Sequence, residues 1–100
     1  MIMRMNELVK SVEGWSKDKG LDKADPRAQF LKVVEEVGEV AAAMARNDRH
    51  ELIDGIGDVV VTLIILSQQH GLELEDCLDC AWGEIANRTG KMQDGVFIKD

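Results

Sequence analysis

Disulfides, membrane spans and signal peptides all require residues that are scarce in this sequence. The two cysteines, Cys77 and Cys80, are too few for a disulfide framework, and we expect reduced core or interface thiols rather than a zinc or redox pair. No apolar run approaches the ~20 residues that cross a bilayer. Charged residues interrupt the apolar positions of residues 1–16, so we expect no secretory signal. We therefore expect a cytoplasmic protein without a membrane span.

Basic residues are also in the minority. Twelve Lys and Arg stand against 19 Asp and Glu, which gives a net charge of −7 at neutral pH. This charge opposes non-specific attraction to nucleic acid or anionic lipid, so we expect neither nucleic acid nor a membrane as a partner. It suits a site that gathers cations. The length of 100 residues, with 45% apolar and 31% charged residues, fits one globular domain over residues 1–100.

The single proline leaves Gly, Asn and Asp as the main markers of breaks between helices. Asp25-Pro26 is typical of a helix start, because Asp caps the helix and proline at the first position loses no hydrogen bond. Asp48, with Glu51 three residues later, has the spacing of a capping box. The apolar spacing predicts four helices, at about 3–19, 26–46, 48–70 and 74–89, followed by an extended tail over 91–100.

The apolar residues of the second and third helices predict how the protein packs. The second helix has an apolar stripe of Phe30, Val33, Val37, Val40, Ala41 and Met44. In the third, residues 59–66 are rich in β-branched side chains and allow a buried strand as the alternative, but the uninterrupted segment 48–70 favours a helix. A helix that is apolar on every side must be covered on every side, and a lone chain of this length has few elements to do so. We therefore expect a homo-oligomer, either a dimer or a tetramer.

Acidic residues gather on one face of each of these two helices. The two sets are Glu35, Glu36 and Glu39 on the second helix and Glu51, Asp54 and Asp58 on the third. At about 100° per residue, each set falls within one sector of its helix. Like charges on neighbouring turns repel, and a divalent cation such as Mg²⁺ or Mn²⁺ would relieve that repulsion. The alternative is that both sets are solvated faces, with Lys32 paired to Glu36.

Glu35-Glu36-x-x-Glu39 is followed by a short loop and by acidic residues that enter an apolar helix. This arrangement resembles the all-α nucleoside triphosphate pyrophosphohydrolases, and in particular the small MazG-like enzymes, whose signature is Glu-Glu-x-x-Glu followed by Glu-x-x-Asp. The resemblance covers most of the chain from Trp15 onward. It extends to Gln29, Lys32, Gly57-Asp58, Asn87-Arg88-x-Gly90-Lys91-Met92 and Asp94-Gly95-Val96-Phe97.

The resemblance implies an all-α, four-helix MazG-like bundle assembled as an oligomer. It also implies a Mg²⁺-dependent enzyme, with Mn²⁺ as a possible substitute, that hydrolyses nucleoside triphosphates to monophosphate and pyrophosphate and cleans the nucleotide pool. The implied general base is Glu35. The implied metal ligands are Glu36, Glu39, Asp54 and Asp58. The implied substrate-binding residues are Gln29, Lys32, Asn87, Arg88 and Lys91.

One departure from the family signature leaves the fourth ligand open. A literal Glu-x-x-Asp occurs only as Glu51-x-x-Asp54, whereas the family's Asp usually precedes the apolar run, which points to Asp58. In that register the position three residues earlier is Gly55, and Asp54 lies four residues earlier. A helix brings either spacing back to one face, so Asp54 is favoured and Glu51 stays open. The alternative function is a non-enzymatic acidic module that binds a partner through the apolar third helix.

Overall fold

The chain folds into four helices followed by a short hairpin. The computed structural model describes residues 2–100, so residue 1 of the predicted domain lies outside the described part. The elements are α1 (Met5–Asp18), a 3₁₀ turn (Leu21–Lys23), α2 (Pro26–Ala45), α3 (Arg49–Gln69), α4 (Leu74–Ile85), β1 (Gly90–Gln93) and β2 (Val96–Lys99). The segment 59–66 is helical, which confirms the predicted helix and not the alternative strand.

Two aspartates cap the helices that form the centre of the fold. The Asp25 side chain accepts a hydrogen bond of 2.9 Å from the backbone N–H of Arg27, and Pro26 occupies the first turn of α2. At the start of α3, the Asp48 side chain accepts one of 3.1 Å from the N–H of Glu51. Each cap satisfies a backbone donor that the helix leaves free, so both predicted helix starts are confirmed to within one residue.

The C-terminal ten residues correct the prediction of an extended tail. Residues of β1 and β2 pair in antiparallel register, with Gly90 opposite Lys99 and Met92 opposite Phe97. The turn between them consists of Asp94 and Gly95, at φ of 52° and 80°. Asp and Gly tolerate this left-handed conformation, which matches the twist of a two-residue hairpin. The fold is therefore mostly helical, with one small sheet that the expectation of an all-α protein did not include.

The helices are arranged around α3. It packs most extensively against α2 and also contacts α1, the 3₁₀ turn and α4. Within residues 71–100, every residue except Leu74 is exposed, so α4 and the hairpin bury little in a single copy. The predicted four-helix bundle is thus open on one side. The buried apolar core consists of Val9, Val33, Ala43, Ile64 and Ile65. Among residues 2–100, no helix has the combination of length and apolar character that crossing a membrane needs.

The face that α2 turns toward α3 differs from the predicted stripe. Of the predicted residues, Phe30, Val37 and Met44 are more than half exposed. Buried and half-buried residues recur instead at alternating intervals of four and three, a spacing that keeps one side of a helix against its neighbour. They are Gln29, Val33, Glu36, Val40 and Ala43. Two polar side chains, Gln29 and Glu36, therefore lie in the contact face.

Candidate functional site

Two contacts fix the register of α2 against α3 on either side of the acidic residues. The Gln29 side-chain amide donates a hydrogen bond of 3.1 Å to the backbone carbonyl of Thr62. The second contact lies about three helical turns farther along α2, at Val40. There, a Cβ placed on Gly55 would lie 3.1 Å from Cγ2 of Val40. Between these contacts, the antiparallel arrangement sets Glu36 opposite Asp58.

Gly55 lets the two helices approach closely beside the acidic pair. It is buried, and a side chain there would press on Val40 of α2. A glycine without a Cβ removes that obstacle and allows the α2 and α3 backbones to come together. The residue that departs from the family signature, Gly55 in place of Glu, is therefore a packing residue in this chain.

The electrostatics of Glu36 reflect its position in the contact face. Its pKa is raised above the ordinary value of 4.5, first by desolvation and next by the negative charge of Asp58. The carboxylates of Glu35 and Glu39 raise this pKa further, whereas the ammonium group of Lys32 lowers it. Both Glu36 and Asp58 are half-buried, so two like charges meet where water screens them incompletely. A bound cation would remove that repulsion.

Lys32, the cation beside the acidic pair, forms its ion pair with Glu35 and not with Glu36, which the solvated-face alternative predicts as its partner. Lys32 Nζ lies 3.5 Å from Oε1 of Glu35, and both side chains are more than half exposed. An exposed pair of this kind contributes little to stability. Within residues 2–100, no Lys, Arg or His nitrogen lies within 4.0 Å of a Glu36 carboxylate oxygen. Glu36 and Asp58 therefore face each other without a neutralising ion pair.

The remaining acidic candidates lie at the rim of this pair. Glu39, Asp54 and Glu51 are exposed, with Asp54 about one turn and Glu51 about two turns before Asp58 on α3. In the described part of the chain, no three or more His, Cys, Asp or Glu side chains are grouped closely enough to hold a metal ion. The donors nevertheless suit a hard cation, because all are carboxylates and the central one, Glu36, has a pKa that a cation would lower.

The candidate substrate-binding residues are divided between two regions. Gln29 and Lys32 lie on α2 beside the acidic pair, although the Gln29 amide is engaged by Thr62. Asn87, Arg88 and Lys91 are exposed and lie beyond α4, where the hairpin begins. Within residues 2–100 the hairpin does not pack extensively against α1, α2 or α3. A single copy thus does not bring the second group to the carboxylates.

The raised pKa of Glu36 predicts the pH dependence of stability without metal. The folded protein binds the proton of the Glu36 carboxyl more tightly than the unfolded protein does. The stability that this protonation contributes is therefore complete below the ordinary pKa of 4.5 and is lost as pH rises through the raised pKa of the folded state. Denaturant unfolding between about pH 4 and about pH 7 should therefore show a smaller loss of stability for Glu36→Gln than for the wild type. If the stability of the two proteins depends on pH in the same way, the pKa of Glu36 is not raised in the folded protein.

Comparison with known proteins adds a family match and one relative. A family model described as the MazG nucleotide pyrophosphohydrolase domain matches residues 25–91, which include α2, α3 and α4. Over 70 residues, the chain is 34% identical to an "Uncharacterized 18.2 kDa protein in rep-hol intergenic region" of Haemophilus phage HP1 (strain HP1c1). That alignment covers 69% of this chain and 43% of the phage protein, so the chain spans less than half of its relative. No solved structure matches.

Proposed function

The chain belongs to the MazG nucleotide pyrophosphohydrolase family, and we propose that it is a Mg²⁺-dependent nucleoside triphosphate pyrophosphohydrolase. The observation that carries the proposal is the half-buried pair of Glu36 and Asp58 on facing helices, without a neutralising ion pair. Its substrates would be ribo- or deoxyribonucleoside triphosphates, and its role the cleaning of a nucleotide pool. Its working form would be a homo-oligomer, a dimer or a tetramer.

The carboxylates would hold the metal ion from both helices. Glu36 and Glu39 would bind it from α2, and Asp58 and Asp54 from α3, with Mn²⁺ as a possible substitute for Mg²⁺. When bound, the ion would supply charge neutralisation for the triphosphate and would lower the pKa of a coordinated water. Since metal binding favours the ionised carboxylates, it would offset the raised pKa of Glu36.

The side chain of Glu35 would act as the general base. It lies next to Glu36 but is exposed, and Lys32 at 3.5 Å would orient it. In the proposed reaction, the oxygen of a water molecule forms a bond to the α-phosphorus while Glu35 accepts the water proton. The bond from the α-phosphorus to the bridging oxygen breaks, and that oxygen leaves with pyrophosphate. The products are a nucleoside monophosphate and pyrophosphate.

The remaining candidates would bind the substrate. Arg88 and Lys91 carry the positive charge that phosphate oxygens require, and Arg can engage two oxygens at once. The amide of Asn87 would donate hydrogen bonds beside them. Gln29 and Lys32 would act from α2, next to the carboxylates. All five assignments rest on the family resemblance and on the chemistry of these side chains.

A screen of nucleoside triphosphates tests the proposed function. Canonical and damaged ribo- and deoxyribonucleotides are incubated with the protein in Mg²⁺ and, separately, in EDTA. We expect pyrophosphate and monophosphate in Mg²⁺ and neither in EDTA, with a melting temperature that Mg²⁺ raises because it binds only the folded state. Release of orthophosphate would place the attack at another phosphorus. No hydrolysis together with no effect of Mg²⁺ on melting would favour the non-enzymatic helical module.

A further inference from the structure

The contact between Gly55 of α3 and Val40 of α2 leaves no room for a side chain at position 55. A Cβ on Gly55 would lie 3.1 Å from Cγ2 of Val40, and 3.7 Å and 3.8 Å from its Cα and backbone nitrogen. Carbon atoms in packed interiors are usually separated by about 3.5–4.0 Å. Position 55 therefore accepts nothing larger than hydrogen unless its neighbour is displaced.

Val40 cannot relieve such a contact cheaply by turning its side chain. A valine in a helix has one strongly preferred rotamer, because its branched side chain crowds the preceding turn. The backbone of Val40 lies just behind the methyl group, already at ordinary contact distance from the same Cβ. A methyl group at position 55 would therefore move the backbones of α2 and α3 apart by a few tenths of an ångström.

The acidic pair lies one helical turn from this contact. On α2, Glu36 precedes Val40 by four residues, which is about 6 Å along the helix. On α3, Asp58 follows Gly55 by three residues, which is about 4.5 Å. The hydrogen bond of Gln29, the other contact that fixes the register, lies about 10.5 Å from Glu36 along α2. A change in helix separation at Gly55 therefore changes the distance between the two carboxylates.

The size of the cation makes this distance important. Mg²⁺ binds oxygen at about 2.0–2.1 Å in a strict octahedron, whereas Ca²⁺ accepts about 2.3–2.6 Å and more flexible arrangements. The difference per bond is a few tenths of an ångström, the same size as the displacement that a methyl group at position 55 would cause. Carboxylates held from two facing helices therefore discriminate between these ions according to the separation of the helices.

We propose that Gly55 is a positioning residue, which keeps α2 and α3 close enough for their facing carboxylates to select Mg²⁺ over Ca²⁺. The inference rests on the proposed function, because it requires that Glu36 and Asp58 hold a cation. It adds to that function the residue that determines which ion is preferred. Gly55 has no side-chain ligand atom and acts only through the distance between the helices that carry the two ligands.

The ratio of the affinities for the two cations tests this role. Metal-free wild type, Gly55→Ala and Gly57→Ala are titrated by calorimetry with Mg²⁺ and, separately, with Ca²⁺, in the absence of nucleotide. Gly57→Ala is the matched control on α3, because it brings the same gain in helix propensity, and its Cβ would meet no packing neighbour within 4 Å among residues 2–100. We expect Gly55→Ala to lower the ratio of Mg²⁺ to Ca²⁺ affinity about tenfold or more, and Gly57→Ala to leave it within about twofold.

A double variant separates lost spacing from lost folding. Val40→Ala in the Gly55→Ala protein removes the methyl group at 3.1 Å and leaves the backbone of residue 40 at 3.7 Å, an ordinary contact. We expect this protein to regain the wild-type ratio to within about threefold, because the two substitutions compensate at one contact. If Gly55→Ala alone is unfolded without metal, the concentrations of Mg²⁺ and Ca²⁺ that restore its helix content give the ratio instead.

The outcomes distinguish this inference from the proposed function. Equal ratios in wild type and Gly55→Ala, or an equally lowered ratio in the double variant, would overturn the role of the contact and leave the proposed function intact. A Gly55→Ala protein that neither cation can fold would overturn it too, because Gly55 would then serve folding alone. If the wild type binds neither cation, the metal site itself is absent, and the proposed function fails with it.

Discussion

Glu36→Gln and Asp58→Asn should each lower the rate of pyrophosphate release at least a hundredfold, a loss of ~2.7 kcal/mol of transition-state stabilisation. The two residues face each other across the contact between α2 and α3, so each would contribute a ligand oxygen that the amide replaces poorly. Without metal, the same substitutions should leave stability unchanged or raise it, because each removes one of two repelling charges. Activity and denaturant unfolding are measured on the same preparations.

Glu7→Gln is the matched control for this prediction. Glu7 lies on α1, is exposed, and loses the same charge through the same substitution. We expect its activity to remain within about twofold of the wild type, since it is remote from the carboxylate pair. If Glu36→Gln and Asp58→Asn both retain more than about a tenth of the activity, the ligand assignment is wrong. If either variant unfolds, the pair is a packing element instead.

The helix boundaries could be predicted because their signals are local. Asp25 and Asp48 each bond a backbone N–H within three residues, and neither contact depends on the rest of the fold. The hairpin also had a local signal, since Asp94-Gly95 between apolar residues is a strong indication of a tight turn. The prediction of an extended tail after α4 does not use this turn signal.

The contact face of α2 could not be obtained from apolar spacing alone. That spacing selected Phe30, Val37 and Met44, which the structure leaves more than half exposed. The true face contains Gln29 and Glu36, and a pattern that counts apolar residues passes over both. Gln29 can occupy the interface because its amide finds the Thr62 carbonyl at 3.1 Å. Glu36 has no such partner in the described chain, which makes it the sharpest indication of a site for an added ligand.

The choice between Asp54 and Glu51 as the fourth ligand follows from the register of α2 and α3. Gly55 lies against Val40, so in the antiparallel pairing its neighbour Asp54 lies at the level of Val40 and Ala41, about two residues from the level of Glu39. Glu51 lies about 4.5 Å farther than Asp54 toward the start of α3, and about 10.5 Å from Asp58 along the helix axis. The register therefore favours Asp54, which is one turn from Asp58, as the ligand that completes the set.

Asp54→Asn should accordingly lower activity tenfold or more and weaken the apparent affinity for Mg²⁺, whereas Glu51→Gln should leave both within about twofold of the wild type. Glu51→Gln should also have little effect on stability, because Asp48 receives its hydrogen bond from the backbone N–H of residue 51 and not from its side chain. Metal titrations at unchanged melting temperature separate a lost ligand from a lost fold. The reverse outcome, with Glu51→Gln inactive and Asp54→Asn active, would move the fourth ligand one turn toward the start of α3 and leave Glu36 and Asp58 at the other end of the site.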